Sequence, residues 1–263
     1  MGTALVTGAS SGIGKELARL FAADGHDVVL VARRLPLLEA LASELGARYG
    51  RKTWAVACDL SSAAGVESLL GELAARGLEV DFLVNNAGSG TTGRFVDSPL
   101  AREVAMAELN AMTVVRLTGA LLPGMVARRR GRVLNVGSWA GFQPGPYMAT
   151  YYASKAFVNS FSEALFEELR GTGVTVTVSC PGPTRSEFAE RSGAGTANLF
   201  RLPMASAETV AREAYRALFA GRAVVVHGFI ARLGVQLLRV SFRALTRRLT
   251  AFVNRPRALG GRA

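Results

Sequence analysis

Short runs rich in valine and leucine recur along the chain, at Ala4 to Val6, Asp27 to Ala32, Thr53 to Cys58, Asp81 to Asn85, Arg132 to Gly137, Val174 to Cys180 and Ala223 to His227. A strand with one wet face alternates apolar and polar side chains; a strand covered on both faces does not. These seven runs do not alternate, so they predict buried parallel strands. Between them apolar positions recur at helical spacing, as in the amphipathic stretch from about Gly14 to Asp24. Strand and helix in strict alternation predict an α/β fold: a doubly wound, seven-stranded parallel sheet of Rossmann type. With no repeat, low-complexity segment or linker, one domain is expected. Residues 1–228 are expected to form its body, and 229–263 a basic, amphipathic C-terminal helical extension.

Ligands of such sheets lie at the carboxyl ends of the strands. Polar residues and glycines collect there: Gly8, Arg33, Asp59, Asn85 to Gly88, Ser138 and Pro181 to Thr184. The first strand runs into Thr7-Gly8-Ala9-Ser10-Ser11-Gly12-Ile13-Gly14 and then a helix. Glycines at 8, 12 and 14 permit a tight turn and close backbone approach, so the amides of the helix N-terminus can face a pyrophosphate. The segment from Pro183 to Pro203 is polar, glycine-bearing and aperiodic, which predicts a flap over the site.

Tyr151 and Lys155 stand four residues apart, on one face of a helix, in a chain with three lysines. A phenol is a poor proton donor at neutral pH, with a reference pKa near ~10, and a fixed positive charge beside it favours the phenolate. Lys155 is placed to be that charge. The alternative is a half-buried aromatic ring next to a solvated lysine.

The net charge is +11, yet no acidic residue follows Glu213, and nine arginines stand from Arg222 onward. The body before them carries about +2, so the excess belongs to the tail and no nucleic-acid partner is expected. The cluster Arg128-Arg129-Arg130-Gly131-Arg132 is read as a helix end, favoured by the dipole, turning into the next strand. No uninterrupted apolar run approaches the ~20 residues of a membrane span. A first strand at residue 3 leaves no room for a signal peptide, and Cys58 and Cys180 lie in apolar runs as buried thiols. A cytoplasmic location is expected. His26 and His227 are the two histidines and neither is placed near Ser138, which argues against a serine–histidine–aspartate hydrolase; no ligand spacing points to a metal.

Taken together, these motifs resemble the short-chain dehydrogenase/reductase family, over residues 3 to about 228. Thr7 to Gly14 is similar to its Thr-Gly-x-x-x-Gly-x-Gly turn, Asn85-Asn86-Ala87-Gly88 to its Asn-Asn-Ala-Gly motif, and Tyr151 to Lys155 to its Tyr-x-x-x-Lys motif. Ser138 lies where the family has its serine, Asn110 where it has its helical asparagine, and Pro181-Gly182 follows the sixth strand. The resemblance implies hydride transfer between a nicotinamide and a carbonyl or alcohol. Tyr151 would be the acid, Ser138 the polarising donor, Lys155 the ribose ligand, and Asn110 the anchor of a proton-supplying water. Tyr152 is the competing phenol. The implied cofactor set is Gly8, Ser10, Ser11, Gly12, Ile13, Gly14, Arg33, Arg34, Asp59, Leu60, Asn86, Ala87, Gly88, Tyr151, Lys155, Pro181, Gly182, Thr184 and Ser186. Asp59 matches the family's adenine-binding aspartate, and it is also a candidate N-cap for the following helix. An NAD site needs an acid at the end of strand two, where this chain has Val31-Ala32-Arg33-Arg34; Arg33, helped by Ser10, can instead pair with a 2′-phosphate, so NADP(H) is expected. An epimerase or dehydratase relative and a non-catalytic dinucleotide-binding protein are the rival readings. A homodimer or homotetramer is the implied assembly.

From Phe229 to Val253 the tail reads as an amphipathic helix or pair of helices. At ~100° per residue Arg232, Gln236, Arg239, Arg243 and Arg247 fall within roughly 80°, opposite Leu233, Leu237, Leu238, Phe242, Leu245, Leu249 and Phe252. The apolar side is expected to pack on the cleft or a subunit contact, with peripheral membrane contact through 229–253 as the second expectation. Similar extensions occur in family members acting on steroid or fatty-acyl ketones, which implies a lipophilic substrate.

Overall fold

The computed structural model describes residues 1–188, 192–193 and 204–256; of Ile230 and Arg239 the backbone alone is described. The predicted runs become strands β1 (Thr3–Thr7), β2 (Asp27–Ala32), β3 (Thr53–Ala57), β4 (Phe82–Asn85), β5 (Gly131–Val136) and β6 (Val174–Cys180). A two-residue pair, β7 (Thr184–Arg185) and β8 (Ala205–Ser206), stands apart, and β9 (Val224–Val226) completes the main sheet. The order is β3-β2-β1-β4-β5-β6-β9, with every adjacent pair parallel. The winding reverses between β1 and β4, which opens a crevice at their carboxyl ends.

Helices cover both faces because the strands are apolar on both. One core gathers α1 (Gly12–Ala23), α2 (Leu35–Tyr49) and α7 (Ala207–Phe219) around Leu17, Phe21, Leu38 and Leu218. The other sets Leu69 of α3 (Ala63–Ala75) and Leu117 and Met125 of α5 (Thr113–Ala127) against Leu5, Leu83 and Val133. α4 (Leu100–Ala107) continues through a π-turn at Glu108–Met112 into α5, and α6 (Ala149–Glu168) carries the Tyr-x-x-x-Lys stretch. The joined run Leu100–Ala127 is long and apolar enough by length and composition to cross a bilayer, a feature that a count of uninterrupted apolar residues misses; here Leu117 and Met125 pack it against the sheet.

Each arginine of the 128–132 cluster has an intramolecular partner: Val80 O for Arg128, Gly171 O for Arg129, Asp81 for Arg130 and Leu218 O for Arg132. The cluster staples a helix end to the sheet. Cys180 is buried but Cys58 is only half-buried, because β3 ends at Ala57 and the chain turns outward there. Most of the expected flap, residues 189–191 and 194–203, lies outside the described residues.

The tail forms two helices, α8 (Phe229–Val240) and α9 (Arg243–Asn254), so the continuous basic sector drawn for a single helix is interrupted at Ser241. Within the chain, the apolar side of α9 is not the packed one, so it does not cover the cleft. α9 buries Thr246, Thr250 and Asn254 and leaves Leu245, Leu249 and Phe252 exposed.

Candidate active site

The crevice at the switch point is a cleft of about 730 Å³. Its floor is the glycine turn. Gly8 (φ 67°) and Gly12 (φ 57°) adopt a left-handed backbone that side chains avoid, and a Cβ on Gly14 would collide with the Gly8 carbonyl and Asn86. Ser11 stands at the N-cap of α1 in extended conformation and its side chain makes no capping bond, so the first-turn amides remain available for an anion. Asn86 fastens the next loop to this turn: its amide donates to Thr7 O (2.8 Å), and the Asn86 and Ala87 backbone amides donate to Thr7 Oγ1 (2.9 and 3.0 Å). Ser10, Ser11, Ile13, Pro181, Gly182, Thr184 and Ser186 also line the cleft, with Ser186 packed over Gly12.

At the adenosine end, Arg33 is exposed and lies close enough to Asp59 to depress its carboxyl. The larger cause of that depression is the Ser61 backbone amide, which donates to Asp59 at 3.0 Å. The N-cap of α3 is Ser62, so the capping alternative for Asp59 is corrected: the carboxylate closes a turn on Ser61. Ser10 pairs with Arg34, whose guanidinium donates to Ser10 Oγ (3.1 Å) and to Glu187 Oε2 (3.0 Å). The expected Arg33–Ser10 partnership is thus an Arg34–Ser10 contact, because Arg34 is the residue turned toward the glycine loop. Leu60 is buried, and its carbonyl accepts from Thr113.

At the other end Ser138, Tyr151 and Lys155 line the same cleft. Ser138 stands two residues past β5 and caps a short 3-10 turn, its hydroxyl accepting from Ala140 N (3.1 Å) and donating to Pro181 O (3.3 Å). Lys155 is buried and donates to Val136 O at 2.7 Å. Gly88 makes room for Asn110: a Cβ there would lie 3.1 Å from Asn110 Oδ1. Burial pushes the Tyr151 phenol up to about 12, only partly offset by its hydrogen bond with Ser138, and pushes the Lys155 ammonium down to about 8. The expected lowering of the phenol by Lys155 is thus corrected: burial and the neighbouring Tyr152 raise it, and Ser138 alone lowers it. The competing phenol is committed elsewhere, since Tyr152 donates its hydroxyl to Asn254 Oδ1 at 3.1 Å.

Asn110 sits in the π-turn, 1% exposed, with its amide donating to Ser89 O (2.9 Å) and Ser154 Oγ (3.0 Å) and its Oδ1 accepting from Ser89 N (2.9 Å). Its side chain braces the loop after β4 against α6. π-turns of this kind recur at functional sites. Two positioning residues escape sequence reasoning. Asn159 grips Ser138 from both sides, donating to Ser138 O (3.0 Å) and accepting from Ser138 N (3.4 Å); standing four residues after Lys155, it shares that helix face. Asn254 donates to Pro146 O (3.1 Å), which ties α9 to the segment leading into α6. A serine–histidine–carboxylate chain does exist, Ser179 to His227 to Glu213 with 2.8 Å at each step, but Ser179 is wholly buried in the sheet and reaches no cleft.

A family model described as short chain dehydrogenase matches residues 2–196. The chain belongs to the short chain dehydrogenase family. Among curated relatives, a very-long-chain 3-oxoacyl-CoA reductase from Coprinopsis cinerea is 42% identical over 176 residues. That stretch is 66% of this chain and 52% of the relative, so the chain spans about half the length of the curated relatives it matches. Among solved structures, a short-chain dehydrogenase from Sphingobium yanoikuyae in complex with NADPH has a TM-score of 0.81 at 32% identity, covering 92% of this chain and 97% of that one. A 7β-hydroxysteroid dehydrogenase has a TM-score of 0.85 at 28% identity, covering 95% and 96%.

Proposed function

We propose that the protein is an NADP(H)-dependent oxidoreductase that reduces a lipophilic ketone or aldehyde, or oxidises the matching secondary alcohol. The observation that carries this reading is the convergence of Tyr151, Ser138 and Lys155 at one end of a cleft whose other end is a glycine cradle. The cradle fits a dinucleotide: its glycines leave space for a pyrophosphate and the α1 amides point at it. When bound, the nicotinamide supplies or accepts the hydride.

The chain's own residues do the remaining work. Ser138, held by Asn159, polarises the carbonyl oxygen. Tyr151, kept neutral by burial, gives its proton to that oxygen as negative charge develops there. Lys155 holds the ribose and offers the positive charge that steadies the phenolate left behind. Asn110 keeps the loop after β4 in register with α6 through Ser89 and Ser154, its proposed role in supplying the proton resting on the family resemblance. Arg33 and Arg34, with no acid at the end of β2, favour a 2′-phosphate. The NADPH complex from Sphingobium supports the cofactor choice. The oxoacyl-CoA and hydroxysteroid relatives support an apolar substrate.

The test is to follow NADPH and NADH oxidation with 3-oxoacyl thioesters, steroid ketones and small hydrophilic ketones. Turnover with NADPH and an apolar carbonyl, exceeding that with hydrophilic ketones, supports the reading. Cofactor binding without hydride transfer to any carbonyl, together with epimerisation or water loss on a tested substrate, overturns it.

A further inference from the structure

We propose that the helix pair α8–α9 docks this protein on anionic lipid surfaces through its outward apolar faces. Eight of the sixteen exposed large apolar side chains among the described residues fall between Phe229 and Phe252. On α8 these are Phe229, Leu233, Leu237 and Val240, while Val235 turns inward. Phe242, 84% exposed, lies between the helices, and Leu245, Leu249 and Phe252 continue on α9. So concentrated an apolar surface marks an interaction site.

The sidedness is fixed by hydrogen bonds. Asn254, fully buried, accepts from Tyr152 and donates to Pro146 O. Thr250 donates to Gln143 at 3.4 Å, and Thr246 shares a 3.0 Å bond with Ser241. The polar side of α9 is thus the latched side. Rolling the helix to bury its leucines would take Asn254 away from the buried Tyr152 hydroxyl and from Pro146 O, leaving the phenol a buried unpaired donor. Among the described residues, Leu245 and Leu249 of α9 are thus held outward, open to a partner.

Charge selects the occupant. Arg232 stands at the edge of the α8 face, Arg248 lies within about 40° of Phe252 around α9, and Arg243, Arg247 and Arg255 are also exposed. No acidic residue occurs after Glu213. A second copy docking by the same face would bring arginines against arginines with no carboxylate from either tail to meet them. An anionic bilayer supplies both an apolar interior for the leucines and phenylalanines and a negative surface for the guanidinium groups. Of the expectations for the tail, the proposal takes up peripheral membrane contact, because the α9 leucines are exposed and do not cover the cleft within the chain. It is independent of the reaction proposed above.

The experiment is flotation of the full-length protein with phosphatidylcholine vesicles and with vesicles that also hold about a third phosphatidylserine. The protein should float with the anionic vesicles and be released as salt rises from 0.1 to 1 M, where the screening length falls from about 10 to about 3 Å. Leu245→Ser/Leu249→Ser/Phe252→Ser and Arg248→Gln/Arg255→Gln should each lower partitioning about 10-fold or more. Thermal unfolding and light scattering check that fold and mass are unchanged. The arginine variant touches no packed side chain, so it decides the matter if the apolar variant misfolds. Failure of the intact protein to float, or retention of full partitioning by the arginine variant, overturns the proposal. So does loss of subunit association in the variants without loss of flotation.

Discussion

Burial acts on Tyr151 and Lys155 in opposite directions, and this has measurable consequences at single residues. Lys155 drops from an ordinary 10.5 to about 8, so between those values the unfolded chain binds a proton that the folded one does not. Stability therefore rises with pH across that window. From pH 8 to 10 the wild type should gain roughly 2 to 3 kcal/mol over Lys155→Met in denaturant melts, while its own reductase activity falls because the ammonium is lost. A difference between the two proteins that stays flat with pH would mean that Lys155 is not desolvated. At the adenosine end, Arg33→Ala should weaken NADPH about 10- to 150-fold and leave NADH nearly unchanged, the worth of a charge-assisted contact. Glu187→Gln, which frees Arg34 from its ion pair, should tighten NADPH about 2- to 5-fold, since such half-exposed pairs are worth up to ~1 kcal/mol. Fluorescence titration reads both; equal effects on NADPH and NADH would deny the arginines a role in reading the phosphate.

At the scale of elements, α6 is the organiser, presenting Tyr151 and Lys155 to the cleft, Asn159 to Ser138, and Tyr152 to α9. The Tyr152–Asn254 bond joins residues 102 apart in sequence. Tyr152→Phe and Asn254→Ala should each cost about 1 to 3 kcal/mol, with a coupling energy of about 0.5 to 3 kcal/mol in the double mutant. Asn254→Ala should also raise KM for bulky substrates through the loosened 143–148 segment without changing the cofactor Kd. Strict additivity in the melts would show the two groups to be independent. Local motifs were readable because glycine turns and i,i+4 pairs impose their geometry within a few residues. The grip of Asn159 on Ser138, the Arg34–Ser10 contact and the burial of the polar side of α9 were not, because each depends on which distant surface a side chain meets. Helical periodicity located the apolar stripe of the tail but carries no information on which stripe faces inward; buried partners for Thr246, Thr250 and Asn254 decide that.

For the molecule as a whole, two-sided apolar strands dictate a parallel sheet covered on both faces, and the winding reversal between β1 and β4 dictates where a ligand enters. That is why strand runs read from the sequence agree with the observed strands to within a residue or so, and why the cleft gathers the glycine turn, Asn86 to Gly88, Ser138, Tyr151 and Lys155. On the proposed reading, the cleft serves one proton transfer beside one hydride transfer. Steady-state kcat/KM with NADPH and an apolar ketone, compared for wild type, Tyr151→Phe and Tyr152→Phe, tests it most directly. Tyr151→Phe should lose about 10²- to 10⁴-fold with NADPH affinity intact, while Tyr152→Phe stays within about 10-fold of wild type. Near-full activity of Tyr151→Phe beside a dead Tyr152→Phe would place the acid on the neighbouring phenol and contradict the assignment.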